Sequence, residues 1–281
     1  DYIWTIDSHF SELKNNEIIR ERFEILQTME EYIGKFVSKE WVQKNCTTVP
    51  LPRRWELTEN VQTLYDWFVK LGIDSSHLRI RKHDDTELSH YSKGTSDIEF
   101  EFPWGVGELE GIARRSDFDL AEHSKSSGVK LEYFDQETGS SYYPWVIEPA
   151  LGVDRAALAF MSDAYKEEDT GKDKRVLFKF HPDIAPVKIA VLPLSRNEKL
   201  VPTAKEVFNE IKSIFPAQYD DAQSIGRRYR RQDEIGTPLC VTVDFDSLDD
   251  NAVTIRERDS MEQTRVSLDA LESELVLKLK G

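Results

Sequence analysis

The sequence predicts an antiparallel α+β domain over residues 1–183 followed by an α/β domain with three layers over residues 184–281. Apolar and polar residues alternate with a period of two between Leu78 and Ala113, which is typical of antiparallel strands with one polar face. After residue 183, short apolar strands alternate with amphipathic helices, which indicates an α/β arrangement. A length of 281 residues is sufficient for two such domains.

The first domain begins with helices and continues with strands. Apolar residues at three- and four-residue spacing predict a helix over 12–44, and a second helix ends at Gly72. Strands are predicted at 78–81, 98–102, 106–112 and 141–148, helices at 117–127 and 155–161, and a polar loop at 166–174. The second domain is predicted to contain strands at 187–192, 239–245 and 252–256, and helices at 201–214, 223–231 and 268–278.

Composition excludes several classes of protein. The chain has 37 basic and 52 acidic residues and a formal net charge of −15, which argues against general nucleic-acid binding. We expect no membrane partner, because no stretch approaches ~18 consecutive apolar residues. Cys46 and Cys240 cannot make a disulfide framework, so a reducing compartment is expected. Because the first residue is Asp1, we expect the sequence to begin downstream of the translation start.

The first group of candidate residues is Glu108, Glu110, Glu148 and Arg155. Alternate residues of a strand point to the same face, so Glu108 and Glu110 are expected to share one. Paired carboxylates and an arginine suit a magnesium–nucleotide site, where the acids bind the metal and the arginine binds a phosphate. In the alternative interpretation, both glutamates face solvent on the polar side of the sheet.

Arg155 follows a turn at Gly152 and opens an apolar helix. The amino end of a helix attracts phosphate through its free N–H groups and its dipole. The alternative is a surface arginine paired with Asp154 or Asp163.

The second group is the set of four arginines Arg227, Arg228, Arg230 and Arg231 around Tyr229. Such a set suits phosphate contacts combined with stacking on a base. The alternative is an exposed helix face that Asp233 and Glu234 partly neutralise. The six histidines show no metal-ligand spacing.

Several long segments together resemble the dimeric, class II type of glycyl-tRNA synthetase over roughly residues 60–277. The match is specific because the segments occur in the family's order. They are His90–Thr95, Glu108–Ala113, Asp117–Leu120, Val146–Arg155, His181–Lys188, Ser224–Asp246 and Arg256–Gln263.

The resemblance implies a class II antiparallel catalytic sheet followed by an anticodon-binding domain from about residue 184. It implies ATP-dependent ligation of glycine to its tRNA through glycyl-adenylate, with ATP and Mg²⁺ as cofactors. The implied partners are glycine, tRNA(Gly) and a second copy of the chain. The implied location is the cytoplasm, with an organelle as the alternative.

The resemblance also implies roles for single residues. Arg155 would contact the γ-phosphate of ATP, and Glu108 with Leu109 would bind ATP. Glu108 would also hold Mg²⁺, helped by Glu110. Glu148 would accept a hydrogen bond from the glycine ammonium in a pocket to which Ala150 and Glu110 contribute. The tRNA would be contacted by the arginine set of Arg227, Arg228, Arg230 and Arg231.

Some positions depart from the family pattern. Residues 1–60 match no synthetase segment, and the first and second class II motifs are not found. Ala150 stands where the family usually has serine, and Arg114 where it usually has Asn or Asp. Two hypotheses follow. The first is the C-terminal portion of a glycine–tRNA ligase. The second is a non-catalytic relative that acts as a tRNA-binding or polymerase-accessory type of subunit.

Overall fold

The structure, a computed structural model, describes residues 57–169, 171 and 174–280. The helix predicted over 12–44 lies outside these residues. By its contacts the chain divides into one unit of Asp1–Trp55 and a second of Glu56–Gly281, and only the second is described below. Because residues 56–281 form one compact unit, the predicted boundary near residue 183 stays a prediction.

The first half of this unit is built on a four-stranded antiparallel sheet. Its strands, in spatial order, are β1 (Leu78–Lys82), β2 (Thr95–Phe102), β3 (Gly105–Ser116) and β6 (Val146–Leu151). Helices α1 (Leu57–Lys70) and α3 (Val153–Ala164) contribute Phe68 and Ala159 to one apolar core with Ile98 and Ile112 of the sheet. The opposite face of the sheet carries mainly charged residues.

One extra residue in β3 breaks the alternation along this strand. Glu99 pairs with Glu108, but Ile98 pairs with Glu110, so Leu109 has no residue opposite it on β2. Because Ile98 and Glu99 point to opposite faces, this β-bulge sends Glu108 to the polar face and Glu110 to the core face. The prediction that Glu108 and Glu110 share a face is therefore wrong.

Glu110 consequently lies among apolar neighbours. It pairs with Ile98 on one side and Leu151 on the other, and only 4% of it is exposed. Within the described residues it makes no ion pair, and burial raises the pKa of its carboxyl to about 7.

The second half is built on a five-stranded mixed sheet. Its strands, in spatial order, are β10 (Ala217–Tyr219), β9 (Ile189–Pro193), β11 (Leu239–Val243), β12 (Ala252–Glu257) and β13 (Gln263–Ser267). The first three are parallel to each other, and the last two are antiparallel to their neighbours.

Helices cover both faces of this sheet. Helices α4 (Leu200–Lys212) and α7 (Leu268–Leu279) share a core with the inward residues of β9, β11, β12 and β13. On the other face, Ile225 and Tyr229 of α5 (Ile225–Ile235) pack on Ala190, Leu192 and Cys240. This is the three-layer arrangement that the sequence predicts. A short helix, α6 (Ser247–Asp250), follows β11.

The remaining elements connect these sheets or extend from them. Helix α2 (Phe118–Ser127) follows β3, and β4 (Tyr133–Asp135) pairs with β5 (Ser140–Tyr142). The hairpin of β7 (Tyr165–Asp169) and β8 (Lys174–Phe178) follows α3 directly. Within the polar loop predicted over 166–174, residues 166–169 and 174 are therefore strand, and they pair as β7 and β8 although most of them are polar and exposed. None of the described helices is long and apolar enough to cross a membrane.

We expect Gly236→Ala to destabilise the protein strongly. Gly236 ends α5 with φ +82, and a Cβ there would lie 2.3 Å from Cδ2 of Phe180. The left-handed backbone and the overlap together should cost about 3 kcal/mol or more in free energy of unfolding, as measured by urea denaturation. Gly128→Ala is the matched control: it has φ +71 but open space, and should cost only about 1–2 kcal/mol. Equal losses would contradict the overlap.

We expect Glu110→Gln to stabilise the protein at alkaline pH. A folded-state pKa of about 7 against an ordinary value of 4.5 means that the folded state holds the proton more tightly. The wild-type free energy of unfolding should therefore fall as pH rises from 4.5 to about 7. The variant should lack this fall and be about 1–3 kcal/mol more stable at pH 8 than wild type, but not at pH 4.5.

Urea denaturation at both pH values measures this difference. Glu108→Gln, on the exposed face of the same strand, is the control and should leave the pH dependence unchanged. An unchanged pH dependence in Glu110→Gln would contradict a buried, protonated carboxyl.

Candidate functional site

The polar face of the first sheet is a row of charged side chains. Cross-strand register places Arg79, Arg81, Asp97, Glu99, Glu108 and Glu148 on this face. Arg79 donates to the Glu99 carboxylate, and His83 Nε2 lies 2.6 Å from Asp97 Oδ2. By contrast, the Glu108 carboxylate is exposed and, like Glu101 on the same face, makes no ion pair with a described residue, so it is free to bind a cation.

Small residues form the floor between the carboxylates. Gly111 lies between Asp97 on β2 and Ala150 on β6. A Cβ at Gly111 would lie 3.0 Å from Oε1 of Glu108 and 3.7 Å from Oδ1 of Asp97, so glycine leaves this space open. With Ala150 beside it, the floor carries no side chain larger than a methyl group, so a ligand can approach the backbone of the sheet here.

Glu148 is held by Arg115. Its Oε2 accepts a hydrogen bond of 2.6 Å from Nη1 of Arg115, whose Nε and Nη2 donate to Asp119 at 2.5 and 2.9 Å. The Arg115 guanidinium also lies 4.0 Å from the ring centre of Tyr91. These carboxylates raise the pKa of Arg115, and Arg115 lowers the pKa of Asp119. Arg115 thus orients Glu148 and leaves its Oε1 without a described partner.

Arg115 is not among the site residues predicted from the sequence. Its spacing of four residues from Asp119 is a pattern that could have indicated the ion pair between these two residues. The contact with Glu148, 33 positions later, depends on the pairing of β3 with β6 and has no local pattern.

Arg155 lies where β6 stops. The strand ends at Leu151 opposite Glu110, Gly152 turns the chain, and Arg155 is the third residue of α3. Its Nε donates to the backbone carbonyl of Glu108, and its guanidinium lies 4.8 Å from the ring centre of Phe102. The alternative pairing with Asp154 or Asp163 is wrong, since Asp163 binds His77 and the backbone N–H of Asp74.

The predicted residues of this site therefore divide into two sets. Glu108 and Arg155 meet at the backbone of Glu108, and Glu148 and Ala150 lie on the same face as Glu108. Glu110 is separated from them by the sheet, because of the bulge. Leu109 is 2% exposed in the core, so only its backbone can face a ligand. Among the described residues, no group of three or more His, Cys, Asp or Glu is arranged to hold a metal.

The arginine set of α5 also divides. Arg228 is 1% exposed and donates to the carbonyls of Pro193, Asp221, Ala222 and Gln223. Its guanidinium satisfies carbonyls in the segment before α5 and at the end of β9, so the interpretation of Arg228 as a tRNA contact is wrong.

Asp233 is likewise buried in the fold, and Tyr229 is partly buried. The Tyr229 hydroxyl lies 2.6 Å from Thr242 Oγ1, and Arg256 lies 4.7 Å from its ring centre, so this ring is not free to stack on a base. Asp233 binds Arg175 and Arg256, so it does not neutralise the exposed arginines as the alternative assumed.

Two arginines of the set remain free. Arg231 is bound to Asp220 at 3.0 and 2.6 Å and to Gln223 at 3.1 Å. Within the part of the chain that the structure describes, Arg227 and Arg230 make no ion pair. At a spacing of three residues they lie on neighbouring positions of the same helix face. These two guanidinium groups are the ones available to a polyanion.

Comparison with known families gives two matches. A model described as an anticodon binding domain matches residues 188–278, which includes the five-stranded sheet. A model described as the bacteriophage T4-like portal protein (Gp20) matches residues 1–62.

Curated relatives cover a larger share of the chain. The glycine–tRNA ligase of Thermobifida fusca is 53% identical over 229 residues, which are 79% of this chain and 50% of the relative. That of Mycolicibacterium paratuberculosis is 49% identical over 277 residues, which are 95% of this chain and 56% of the relative. That of Staphylococcus aureus is 54% identical over 217 residues, which are 76% of this chain and 46% of the relative.

The chain thus spans about half the length of the curated relatives it matches. Over most of its own length, this chain is related to the glycine–tRNA ligases, and it fits a C-terminal segment of a glycyl-tRNA synthetase.

Proposed function

We propose that the protein joins glycine to tRNA(Gly) in two steps that use ATP. The glycine carboxylate attacks the α-phosphate of ATP, which gives glycyl-adenylate and pyrophosphate. The glycyl group then passes to the terminal ribose of the tRNA, and AMP leaves. One observation carries the proposal: the small residues Gly111 and Ala150 lie between the carboxylates of Glu108 and Glu148. This occurs in a chain that is about 50% identical to glycine–tRNA ligases.

Glycine recognition follows from charge and size. Glycine offers an ammonium, a carboxylate and no side chain, so a site can select it only by binding its charges and leaving no space for a larger residue. Glu148 supplies an acceptor for the ammonium, oriented by Arg115. The small residues Gly111 and Ala150 let the ligand lie close to the sheet beside Glu148. Because Glu110 lies on the core face, we no longer assign it to this pocket.

ATP activation depends mainly on positioning and neutralisation of charge. Arg155 supplies a guanidinium for the γ-phosphate, and the exposed Glu108 carboxylate supplies an oxygen ligand for Mg²⁺. Proteins usually hold Mg²⁺ with one or two carboxylates and the substrate phosphates, so a single free glutamate fits that ion. When bound, Mg²⁺ would neutralise charge on the phosphates. Arg155 donates to the backbone carbonyl of Glu108, whereas its guanidinium packs beside Phe102 and Gly107, on the face opposite the Glu108 carboxylate.

Binding of tRNA is assigned to the second half of the chain. Arg227 and Arg230 supply free guanidinium groups for phosphates, and the surrounding sheet matches the anticodon-binding family. We further propose that the four-stranded sheet is part of a class II catalytic sheet. We also propose that the protein acts as a homodimer and works in the cytoplasm, with an organelle as the alternative location.

The alternative function, a non-catalytic tRNA-binding or polymerase-accessory subunit, is not favoured. The curated relatives at about 50% identity are named as ligases.

We expect Arg155→Ala in the complete protein to lower glycine-dependent ATP–pyrophosphate exchange by at least about 100-fold, since a cation at the transferred phosphates stabilises the transition state. Asp154→Asn, its exposed neighbour, is the matched control and should retain the wild-type rate. Exchange that survives Arg155→Ala would remove Arg155 from the ATP site. A wild-type protein without exchange would overturn the proposed function and favour the non-catalytic alternative.

We expect the double variant Arg227→Gln, Arg230→Gln to raise the KM for tRNA in aminoacylation by about tenfold, because each lost phosphate contact weakens binding. ATP–pyrophosphate exchange should not change, since no tRNA takes part in it. Lys205→Gln, an exposed cation on α4 of the same half, should leave both values unchanged. An equal fall in exchange would show that the two arginines have another role.

A further inference from the structure

Helix α5 is bound at its carboxyl end by a buried cluster of charges. Oδ2 of Asp233 lies 2.9 Å from Nε of Arg175, and Nη1 and Nη2 of Arg256 lie 2.9 and 3.1 Å from the same carboxylate. Asp233 and Arg175 are both 0% exposed. One carboxylate of α5 is therefore shared by two buried arginines from different strands.

Arg175 joins three segments of the chain. Its Nε binds Asp233 on α5, its Nη1 binds Glu168 on β7 at 2.8 Å, and its Nη2 donates to the carbonyl of Arg258 after β12. Each of its three nitrogens thus has its own acceptor. A lysine also has three N–H donors, but all of them leave one nitrogen atom, so they cannot reach acceptors that are spread around a planar guanidinium.

Aromatic packing beside this cluster links α5 to α3. Phe180 stacks on Phe178 at 5.1 Å and lies against Gly236, where α5 ends. The same two rings pack on Ala164, the last residue of α3, whose carbonyl accepts a hydrogen bond of 2.7 Å from Lys179 N–H. The carboxyl ends of α3 and α5 are therefore both packed on the β7–β8 hairpin.

The two helices carry the functional arginines on their earlier turns. Arg155 is in the first turn of α3, and Arg227 and Arg230 are in the first two turns of α5. The hairpin thus stands between the proposed ATP site and the proposed tRNA contacts.

We propose that Arg175 is a positioning residue for tRNA charging. It locks α5 to the hairpin that follows α3, so that a tRNA bound at Arg227 and Arg230 is presented to the catalytic sheet in one orientation. This inference rests on the proposed function.

The buried cluster of Arg175, Asp233 and Arg256 is better explained by a need to fix the orientation of the segments than by a gain in stability. Buried ions lose their hydration, and apolar residues of the same volume often stabilise a protein as well or better. A guanidinium that binds three segments in fixed directions defines their relative orientation, which apolar packing defines less sharply.

The test compares two reactions of the complete protein. Adenylate formation, measured by glycine-dependent ATP–pyrophosphate exchange, needs only the catalytic sheet, whereas aminoacylation also needs the tRNA in the correct orientation. In Arg175→Lys we expect exchange within twofold of wild type and a fall of about tenfold in the kcat of aminoacylation. The KM for tRNA should change by less than about threefold, because Arg227 and Arg230 are intact.

Lys174→Met is the matched control. Lys174 precedes Arg175 on β8 and makes only an exposed ion pair of 3.4 Å with Glu167, so both reactions should keep wild-type rates. If Arg175→Lys does not fold, Glu168→Gln removes the charge of the half-exposed acceptor on β7 and should give the same pattern with a smaller fall in kcat.

Three results would overturn the inference and leave the proposed function in place. Wild-type kcat of aminoacylation in the folded variants would show that the cluster does not position tRNA. Equal falls in exchange and aminoacylation would show a general structural role. A rise in the KM for tRNA without a fall in kcat would show that Arg175 affects the affinity for tRNA and not its orientation. Absence of exchange in the wild-type protein would instead overturn the proposed function, and this inference with it.

Discussion

The proposed active site depends on one extra residue in strand β3. The bulge at Leu109 places Glu108 on the polar face and Glu110 on the core face, although the two residues are separated by only one position. Without it, Glu108 and Glu110 would lie on the same face and repel each other. With it, one carboxylate lies beside the small residues Gly111 and Ala150, and Arg155 binds the backbone carbonyl of the same glutamate. The cost is a buried carboxyl at Glu110, whose pKa rises to about 7.

Arginines serve two different purposes in this protein, and burial separates them. Arg175, Arg228 and Arg256 are almost fully buried; Arg175 and Arg228 bind acceptors from several segments, and Arg256 binds the carboxylate of Asp233. Their fixed donors hold loops and strands in defined directions, which is possible because every buried charge has acceptors around it. Arg227 and Arg230, which lack ion pairs among the described residues, remain available to a polyanion. A chain with a net charge of −15 can thus present a small, local cationic surface.

The β7–β8 hairpin connects the two halves in both sequence and space. It follows α3, which carries Arg155 at its other end, and it packs on the carboxyl end of α5, which carries the free arginines near its other end. The hairpin is the element that both helices contact, so it is the physical link between the proposed ATP site and the proposed tRNA contacts. Its polar sequence predicts a loop. The sequence is polar because β7 exposes most of its residues and, among the described residues, has only β8 as a strand partner.

Apart from the β7–β8 hairpin, the kinds of elements and their order follow from the sequence alone, and so does the family resemblance. Periodicity and long motifs are properties of residues that are neighbours in the chain. The alternating sheet strands, the three-layer α/β half and the candidates Glu108, Glu148 and Arg155 all came from such local patterns. The face of the sheet or helix on which each charged side chain lies depends on the tertiary structure. A bulge is defined by the partner strand, so no pattern within Glu108–Glu110 reveals it. The burial of Arg228 and the pairing of Arg115 with Glu148 likewise depend on segments distant in the chain, which meet only when the sheets and helices pack.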